Sequence, residues 1–156
     1  MIEIIRAEEK HVKEMGELWW EFMLFHQDID PIFIFVEDQI PDYIENHLRR
    51  FMESKDGLVL VAMDEQQTIG YSLSEIRRVT PGLKRETYGY IDQMAVTESY
   101  RRKGVGKKMF DEILKWFQFN DIKRLELGTT AQNLIANSFW HKQGFTVLNY
   151  TLLKKI

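Results

Sequence analysis

A basic, glycine-containing segment is the part of this sequence whose residue types most clearly suggest chemistry. It spans residues 101–108, RRKGVGKK, and follows an apolar stretch that ends at Val96. A strand that leads through such a turn into a helix exposes backbone N–H groups at the helix N-terminus, where the helix dipole also favours an anion. Gly104 and Gly106 leave room for a phosphate to approach those amides. The segment therefore predicts an anion site suited to a diphosphate.

Two common phosphate-binding motifs do not match this segment. A Walker loop ends in Gly-Lys-Ser or Gly-Lys-Thr, and the dinucleotide fingerprint needs a third glycine. Residues 101–108 have neither feature. A short basic helix start is also compatible with a solvated surface, so the interpretation depends on a second motif. A binding site for another nucleotide phosphate is a weaker alternative.

With a second motif downstream, the sequence resembles the GCN5-related N-acetyltransferases, the GNAT superfamily. Arg101, Gly104 and Gly106 match the family's acetyl-CoA pattern of Arg or Gln, two residues, Gly, one residue, and Gly or Ala. The resemblance covers essentially all of residues 1–156 and implies acetyl-CoA as the cosubstrate. The family's downstream pattern of an asparagine, an alanine, an aromatic pair and Gly-Phe is matched by Asn133, Ala136, Phe139, Trp140, Gly144 and Phe145.

The elements that must position these motifs follow from the apolar periodicity. Helices are predicted from about Ala7, around 38–54, from Gly104, and at 133–143. The element order and the resemblance predict one α/β (α+β) domain over residues 1–156 with the GNAT fold. Its mixed, mostly antiparallel sheet would have about seven strands flanked by four helices. The strands are predicted at 2–6, 58–63, 68–77, 88–96 and 122–128, with two more from the tail at 145–156.

The resemblance implies how acetyl-CoA is held. In the family, the strand before the glycine turn separates from its neighbour, and the pantetheine arm hydrogen-bonds to its backbone like an added strand. Backbone N–H groups there also stabilise the oxyanion of the tetrahedral intermediate. The cofactor-binding residues implied are Met94, Ala95, Val96, Arg101, Arg102, Lys103, Gly104, Val105, Gly106, Lys107, Asn133, Phe139 and Trp140.

The implied reaction is direct attack of a neutral primary amine on the acetyl carbonyl. The amine must lose a proton, so a carboxylate is expected as the general base, acting directly or through water. Asp92 is the first candidate because it lies on the central strand two residues before Met94. Glu75 and Glu126, on the neighbouring strands, are alternatives, and each of the three could also be an ordinary surface or ion-paired carboxylate.

Trp140 departs from the family pattern. Many GNAT enzymes have a tyrosine at this position, whose phenol protonates the departing thiolate, whereas an indole N–H does not give up its proton near neutral pH. Core packing is the expected role of Trp140. The departure supports an alternative function, a GNAT-fold domain that binds acetyl-CoA as a sensor without transferring the acetyl group. Other possible proton donors are Tyr90, Tyr100, Tyr150 and His141.

The amine acceptor is expected opposite the cofactor, against the first two helices and the loop at 79–86. Phe22, His26 and Asp30 are the candidate substrate-binding residues, because aromatic and acidic side chains can seat an amine cation. Phe22 also fits the helix's apolar stripe, and His26 could be structural. The acceptor is a small-molecule or peptide amine.

The composition of the chain excludes several further classes of protein and of binding site. The chain has 156 residues, no cysteine and a net charge of −3. The lack of cysteine excludes a disulfide scaffold, thiolate-bound metal and an acyl-cysteine intermediate, and we expect a cytoplasmic protein without a metal. The mild negative charge argues against nucleic-acid binding. No apolar run approaches the roughly 20 residues that span a bilayer, so no membrane partner is expected. A homodimer through the C-terminal strands is a family expectation.

Overall fold

Five strands lie side by side in chain order. A computed structural model describes residues 1–30, 32–34, 40–78 and 87–156. The sheet order is β1-β2-β3-β4-β5, in which the first four strands are antiparallel and β5 joins β4 in parallel. The strands are β1 (Ile2–Arg6), β2 (Gly57–Asp64), β3 (Gln67–Arg77), β4 (Tyr88–Val96) and β5 (Leu125–Leu127).

Helices cover both faces of this sheet. Helices α1 (Val12–Ile29) and α2 (Ile40–Glu53) pack on the face that carries Val59 and Val61 of β2. Helices α3 (Val105–Phe119) and α4 (Leu134–Lys142) pack on the other face. Because alternate residues of β2 face the two layers, its sequence is continuously apolar rather than alternating. No helix in the described ranges is long and apolar enough to cross a membrane.

The GNAT fold class predicted from the sequence is confirmed, but the predicted number of strands is wrong. The C-terminal tail, residues 146–156, contains no helix or strand, so the described sheet has five strands rather than about seven. Strand formation requires a neighbouring edge that accepts and donates backbone hydrogen bonds. The tail makes none with any described residue. Its apolar, β-branched and aromatic residues favour a strand, but this single copy of the chain does not pair them.

Strand β5 is shorter than the predicted range of 122–128. Asp121 has a φ of +56°, and the N–H of Ile122 still donates to the carbonyl oxygen of Phe117 in α3 at 2.9 Å. The chain is therefore held by the C-terminal end of α3 until just before the strand begins. This short β5 leaves the second half of β4 without a neighbour on that side.

Candidate active site between strands β4 and β5

The two parallel strands separate after three residue pairs. Gly89, Tyr90 and Ile91 pair with Leu125, Glu126 and Leu127, respectively, whereas β4 continues to Val96. The predicted separation of the strand before the glycine turn is therefore present. A small cavity of about 60 Å³ lies there. It is lined by Phe22, His26, Ile91, Asp92, Gln93, Met94, Leu127, Gly128, Thr129, Asn133, Ala136 and Trp140.

The backbone groups of Met94 and Val96 point to the open side of β4. The N–H of Thr97 donates to the carbonyl oxygen of Ile69 in β3 at 2.9 Å. Backbone groups of successive residues alternate in direction along a strand, so Ala95 also faces β3, while Met94 and Val96 face away from it. The edge predicted to hold a pantetheine arm is thus available for β-type hydrogen bonds.

Asp92 is the extra residue of a β-bulge. In the β3–β4 ladder Leu73 pairs with Gln93 and Ser74 pairs with Ile91, which leaves Asp92 unpaired between them. A bulge bends a strand and redirects a side chain. Both residues of the bulge, Asp92 and Gln93, line the cavity. Sequence alone placed Asp92 on the central strand but could not show that the strand is interrupted there.

The turn before α3 has the backbone conformation of an anion site. Arg102 and Gly104 have positive φ values of +60° and +84°. The N–H groups of Val105, Gly106 and Lys107 have no hydrogen-bond partner among the described residues. A Cβ atom at Gly104 would meet nothing within 4 Å, so the glycine leaves open space before these amides. Successive N–H groups at a helix N-terminus favour a phosphate, and the turn therefore fits the diphosphate of CoA.

The basic side chains of this turn differ in their contacts. Arg101 Nε donates to the carbonyl oxygen of Val96 at 2.9 Å, so this side chain ties the turn to the end of β4. Lys107 forms an ion pair with Asp111 one helical turn later. Lys103 Nζ lies 5.1 Å from the centroid of the Tyr100 ring. Arg102 and Lys108 are exposed and have no ion pair, side-chain hydrogen bond or aromatic contact with any described residue, so they are the side chains freest to meet a phosphate.

Asn133 joins the cofactor side of the cavity to the acceptor side. Its Oδ1 accepts the N–H of Ala136 at 3.1 Å and caps α4, and its Nδ2 lies 3.5 Å from His26 Nε2. The other ring nitrogen, His26 Nδ1, lies 2.8 Å from the carbonyl oxygen of Phe22. A carbonyl only accepts, so Nδ1 carries the proton and Nε2 accepts from Asn133. This contact gives His26 and Asn133 a structural function in addition to lining the cavity.

The aromatic pair on α4 forms the wall next to the glycine turn. Trp140 is buried, with its ring centroid 5.8 Å from that of Phe110 and 5.4 Å from that of Phe145, both edge-to-face. Phe139 packs beside Gly106, where a Cβ would lie 3.5 Å from the ring. The expected packing role of Trp140 agrees with these contacts. Phe139 thus lies beside the first turn of α3.

The three candidate bases lie in different surroundings. Asp92 is the one that lines the cavity. Glu75 Oε1 accepts a hydrogen bond from Arg77 Nε at 2.7 Å. Glu126 Oε1 lies 3.1 Å from Arg124 Nε. Of the three, Asp92 is thus the candidate that lines this cavity.

His47 was not found by sequence reasoning, and it lies beside Asp92. Its Nε2 is 3.7 Å from Asp92 Oδ2 and is buried without a hydrogen-bond partner among the described residues. Burial, only partly offset by the Asp92 charge, lowers the pKa of His47 below its usual value. The sequence feature that could have pointed to His47 is its position in α2, next to the apolar stripe of Ile44, Leu48 and Phe51. A polar residue next to a core stripe is a candidate for a buried interaction.

Two further groups complete the surroundings of Asp92. Arg77 Nη2 lies 3.6 Å from Asp92 Oδ1, so the carboxylate faces a cation as well as the imidazole. Tyr71 is fully buried, and burial, followed by the Asp92 charge, raises its pKa well above the usual value. Its hydroxyl therefore stays protonated and donates to Gln93 Oε1 at 2.7 Å. Arg77 therefore contacts Asp92 and Tyr71 contacts Gln93, the two residues of the bulge.

The substrate residues predicted from sequence are only partly brought together. Phe22 and His26 line the cavity, but Asp30 does not. Asp30 Oδ1 accepts the N–H of Ile32 at 3.2 Å, and Oδ2 lies 3.3 Å from Thr130 Oγ1, which ties the end of α1 to the loop before α4. The predicted acceptor-side loop at 79–86 lies outside the described residues.

The four possible proton donors predicted from the sequence lie in different parts of the structure. The Tyr100 hydroxyl donates to Asp64 Oδ2 at 3.0 Å, and His141 Nδ1 lies 3.0 Å from the carbonyl oxygen of Phe145. Tyr150 belongs to the exposed tail. Tyr90 does not line the cavity itself, but its hydroxyl lies near Gly128, which does, because a Cβ at Gly128 would be 3.2 Å from the Tyr90 oxygen. None of the four is thus among the residues that line the cavity.

Comparison with known proteins identifies the family. The model of the Acetyltransferase (GNAT) family matches residues 12–145. The chain belongs to this family. It is an acyltransferase of the GNAT type, and its acyl donor is acetyl-CoA. Among the described residues, no group of three or more His, Asp or Glu side chains could hold a metal ion.

Solved structures share the fold at low sequence identity. A mutant of the BH1408 protein from Bacillus halodurans has a TM-score of 0.89 at 20% identity, covering 99% of both chains. The aminoglycoside N-acetyltransferase AAC(6')-Iy in complex with CoA has a TM-score of 0.76 at 15% identity, covering 100% of this chain and 95% of that one. A transcriptional regulator from Bacillus halodurans C-125 has a TM-score of 0.80 at 15% identity, covering 100% of both. No curated protein sequence matches the chain.

Proposed function

We propose that this GNAT protein transfers an acetyl group from acetyl-CoA to a primary amine of a small molecule or peptide by direct attack in a ternary complex. The observation that carries the proposal is the position of Asp92. Supporting it, Asp92 lines the cavity where β4 and β5 separate, on the strand whose Met94 and Val96 amides face away from β3. The candidate base and the β4 edge proposed to bind acetyl-CoA thus lie at the same opening.

In this proposal, Asp92 takes a proton from the substrate ammonium, directly or through one water. The amine nitrogen then forms a bond to the acetyl carbon, and the carbon–sulfur bond breaks as the thiolate leaves. The N–H groups of Met94 and Val96 are the preorganised donors for the charge that develops on the carbonyl oxygen. The attacking nitrogen then loses its second proton to solvent, which leaves a neutral amide. The thiolate takes a proton from solvent, or from the Tyr90 hydroxyl, which solvent then reprotonates, because Trp140 cannot supply one.

The acceptor class rests on the acidic and aromatic character of the cavity wall. Phe22 and Asp92 can hold a cationic amine through the ring face and the carboxylate, respectively. The fold neighbour AAC(6')-Iy also has a structure with a bisubstrate analogue named CoA-S-monomethyl-acetylneamine, in which donor and amine acceptor are joined.

The deciding experiment follows release of free CoA thiol from acetyl-CoA in the presence of an amine panel. The panel contains an aminoglycoside, a polyamine, a free amino acid and a peptide with an unblocked N-terminus. Because the chain has no cysteine, a thiol reagent detects the product without a protein background. Amine-dependent thiol release supports the proposal, and mass spectrometry of the acceptor should show one added acetyl group. CoA binding without turnover on any amine would overturn it.

One observation favours a second candidate, a domain that binds acetyl-CoA as a sensor. Trp140 occupies the position of the usual tyrosine acid and is fully engaged in packing against Phe110 and Phe145. One protein with a similar fold is named a transcriptional regulator, whereas others are named acetyltransferases. Tight binding of CoA together with an inert amine panel is the result that this candidate predicts.

A further inference from the structure

Two of the residues that line the cavity between β4 and β5 have side chains that can take up and release a proton. They are Asp92 on β4 and His26 in the last turn of α1. The proposed reaction uses Asp92 for the first proton of the substrate ammonium and leaves His26 without a part in proton transfer. Two titratable groups in one site commonly divide the acid and base roles between them.

The tautomer of His26 leaves one ring nitrogen able to accept a proton. Nδ1 lies 2.8 Å from the carbonyl oxygen of Phe22, which only accepts, so Nδ1 carries the proton of the neutral ring. Nε2 therefore holds a lone pair, on the side where Asn133 Nδ2 lies 3.5 Å away. A histidine whose Nδ1–H is held by a backbone carbonyl can gain and lose a proton at Nε2 without changing that contact.

The contact between His26 and Asn133 is one that a ligand can replace. Its length of 3.5 Å lies outside the usual range of a hydrogen bond. Asn133 Oδ1 caps α4 by accepting the N–H of Ala136 at 3.1 Å, so the amide cannot turn over without losing that cap. Asn133 thus presents an N–H to His26 and no acceptor. A proton gained at Nε2 therefore finds its acceptor among the groups that occupy the cavity.

Three aromatic rings surround the imidazole of His26. Its centroid lies 4.2 Å from that of Phe22, and 5.6 Å and 5.8 Å from those of Phe25 and Phe33, the last two edge-to-face. Met94, on the strand edge proposed to bind the acetyl donor, lines the same cavity of about 60 Å³. The imidazole and the proposed donor edge thus face one small space.

We propose that His26 Nε2 carries the second proton of the attacking nitrogen to the departing sulfur. This role rests on the proposed acetyl transfer, in which His26 replaces solvent and Tyr90 in the later proton steps. After Asp92 has taken the first proton and the carbon–nitrogen bond has formed, neutral His26 accepts the second proton from the nitrogen. As the carbon–sulfur bond breaks, the imidazolium donates this proton to the sulfur. CoA leaves as a neutral thiol, His26 returns to its neutral form, and the nitrogen keeps its third proton as the amide N–H.

His26→Gln tests the transfer of this proton. Glutamine is polar and can still contact Asn133, but it does not bind a proton near neutral pH, so kcat for the most active amine of the panel should fall by about 10²-fold or more. The KM of that amine and the affinity for CoA should change little, because the interaction that is lost forms only during the reaction. Circular dichroism checks the fold. A parental kcat, or a rise in KM alone, overturns this role.

The matched control is His141→Gln. It makes the same chemical change on α4, where Nδ1 lies 3.0 Å from the carbonyl oxygen of Phe145 and the side chain does not line the cavity. The control should keep the parental rate. A loss of rate in His141→Gln equal to that in His26→Gln contradicts the assignment to His26.

Rescue by small rings separates proton transfer from packing. His26→Ala removes the ring beside Phe22, and free imidazole added to this variant should raise kcat several-fold. Pyrazole has a ring of the same size but is a far weaker base, so it should have little effect. An equal response to the two compounds overturns the inference. A parent protein that acetylates no amine overturns the proposed function as well, whereas an active parent with an equally active His26→Gln variant overturns only the role of His26.

Discussion

His47 Nε2 faces Asp92 Oδ2 across 3.7 Å, and the imidazole nitrogen is buried with no hydrogen-bond partner among the described residues. The two groups come from α2 and from the bulge of β4, so the helix and the strand meet at the candidate base. A small shift of either side chain would make a hydrogen bond between them. Because burial lowers the pKa of His47, its protonation is linked to the stability of the fold.

The pH dependence of stability tests the buried state of His47. Its pKa in the folded protein is lowered by burial, so below about pH 6.5 the unfolded chain binds a proton that the folded chain does not. The free energy of unfolding should therefore fall as the pH decreases through this range. Urea denaturation of the parent protein and of His47→Gln, between about pH 5.5 and about pH 8, measures the effect. The variant should show a shallower dependence; identical slopes would mean that His47 is not responsible.

Replacement of the candidate base separates Asp92 from its alternatives. Asp92→Asn keeps the shape of the side chain but removes the proton acceptor, so kcat should fall by about 10²-fold or more with CoA affinity unchanged. Glu126→Gln, in the neighbouring strand but not in the cavity wall, should keep most of the rate. Thiol release and calorimetric titration with CoA measure the two quantities. If Glu126→Gln loses as much rate as Asp92→Asn, the base has been misassigned.

Two glycines with similar backbone conformations test the phosphate site. Gly104 and Gly144 have φ values of +84° and +90°, and a Cβ at either would meet nothing within 4 Å. Gly104→Glu and Gly144→Glu thus introduce similar strain, but only the first places a carboxylate before the N-terminus of α3. Calorimetry should show loss of measurable CoA binding for Gly104→Glu and little change for Gly144→Glu. Equal affinities for the two folded variants would place the diphosphate elsewhere.

Truncation of Trp140 tests its role in packing. Trp140→Ala removes a buried ring that contacts Phe110, Phe139 and Phe145, and should lower the free energy of unfolding by about 3–5 kcal/mol. Trp140→Phe retains an aromatic ring against the same neighbours and should cost much less. Urea denaturation of both variants measures the difference. A small effect of the alanine variant would show that this end of α4 is not part of the stable core.

The sequence predicted the order of elements and the anion site because both depend on local patterns. Glycines at fixed spacing, a basic turn and the periodicity of α3 need no knowledge of distant residues. The neighbour of Asp92 could not be predicted in this way, since His47 lies 45 positions earlier in the chain and is brought near only by the packing of α2 on the sheet. The tail was assigned strands because its residues favour them, but pairing depends on an available edge and not on propensity.

The bulge at Asp92 determines which face of the sheet each later residue of β4 occupies. Ile91 and Met94 both pack toward α3 and α4 although they are three residues apart, while Ala95 packs toward α1 and α2. Deletion of Asp92 would place Ile91 and Met94 two residues apart, so regular alternation would keep both on the same face. Such a deletion would remove the bulge and the carboxylate together, whereas a substitution at position 92 can change the carboxylate and keep the bulge.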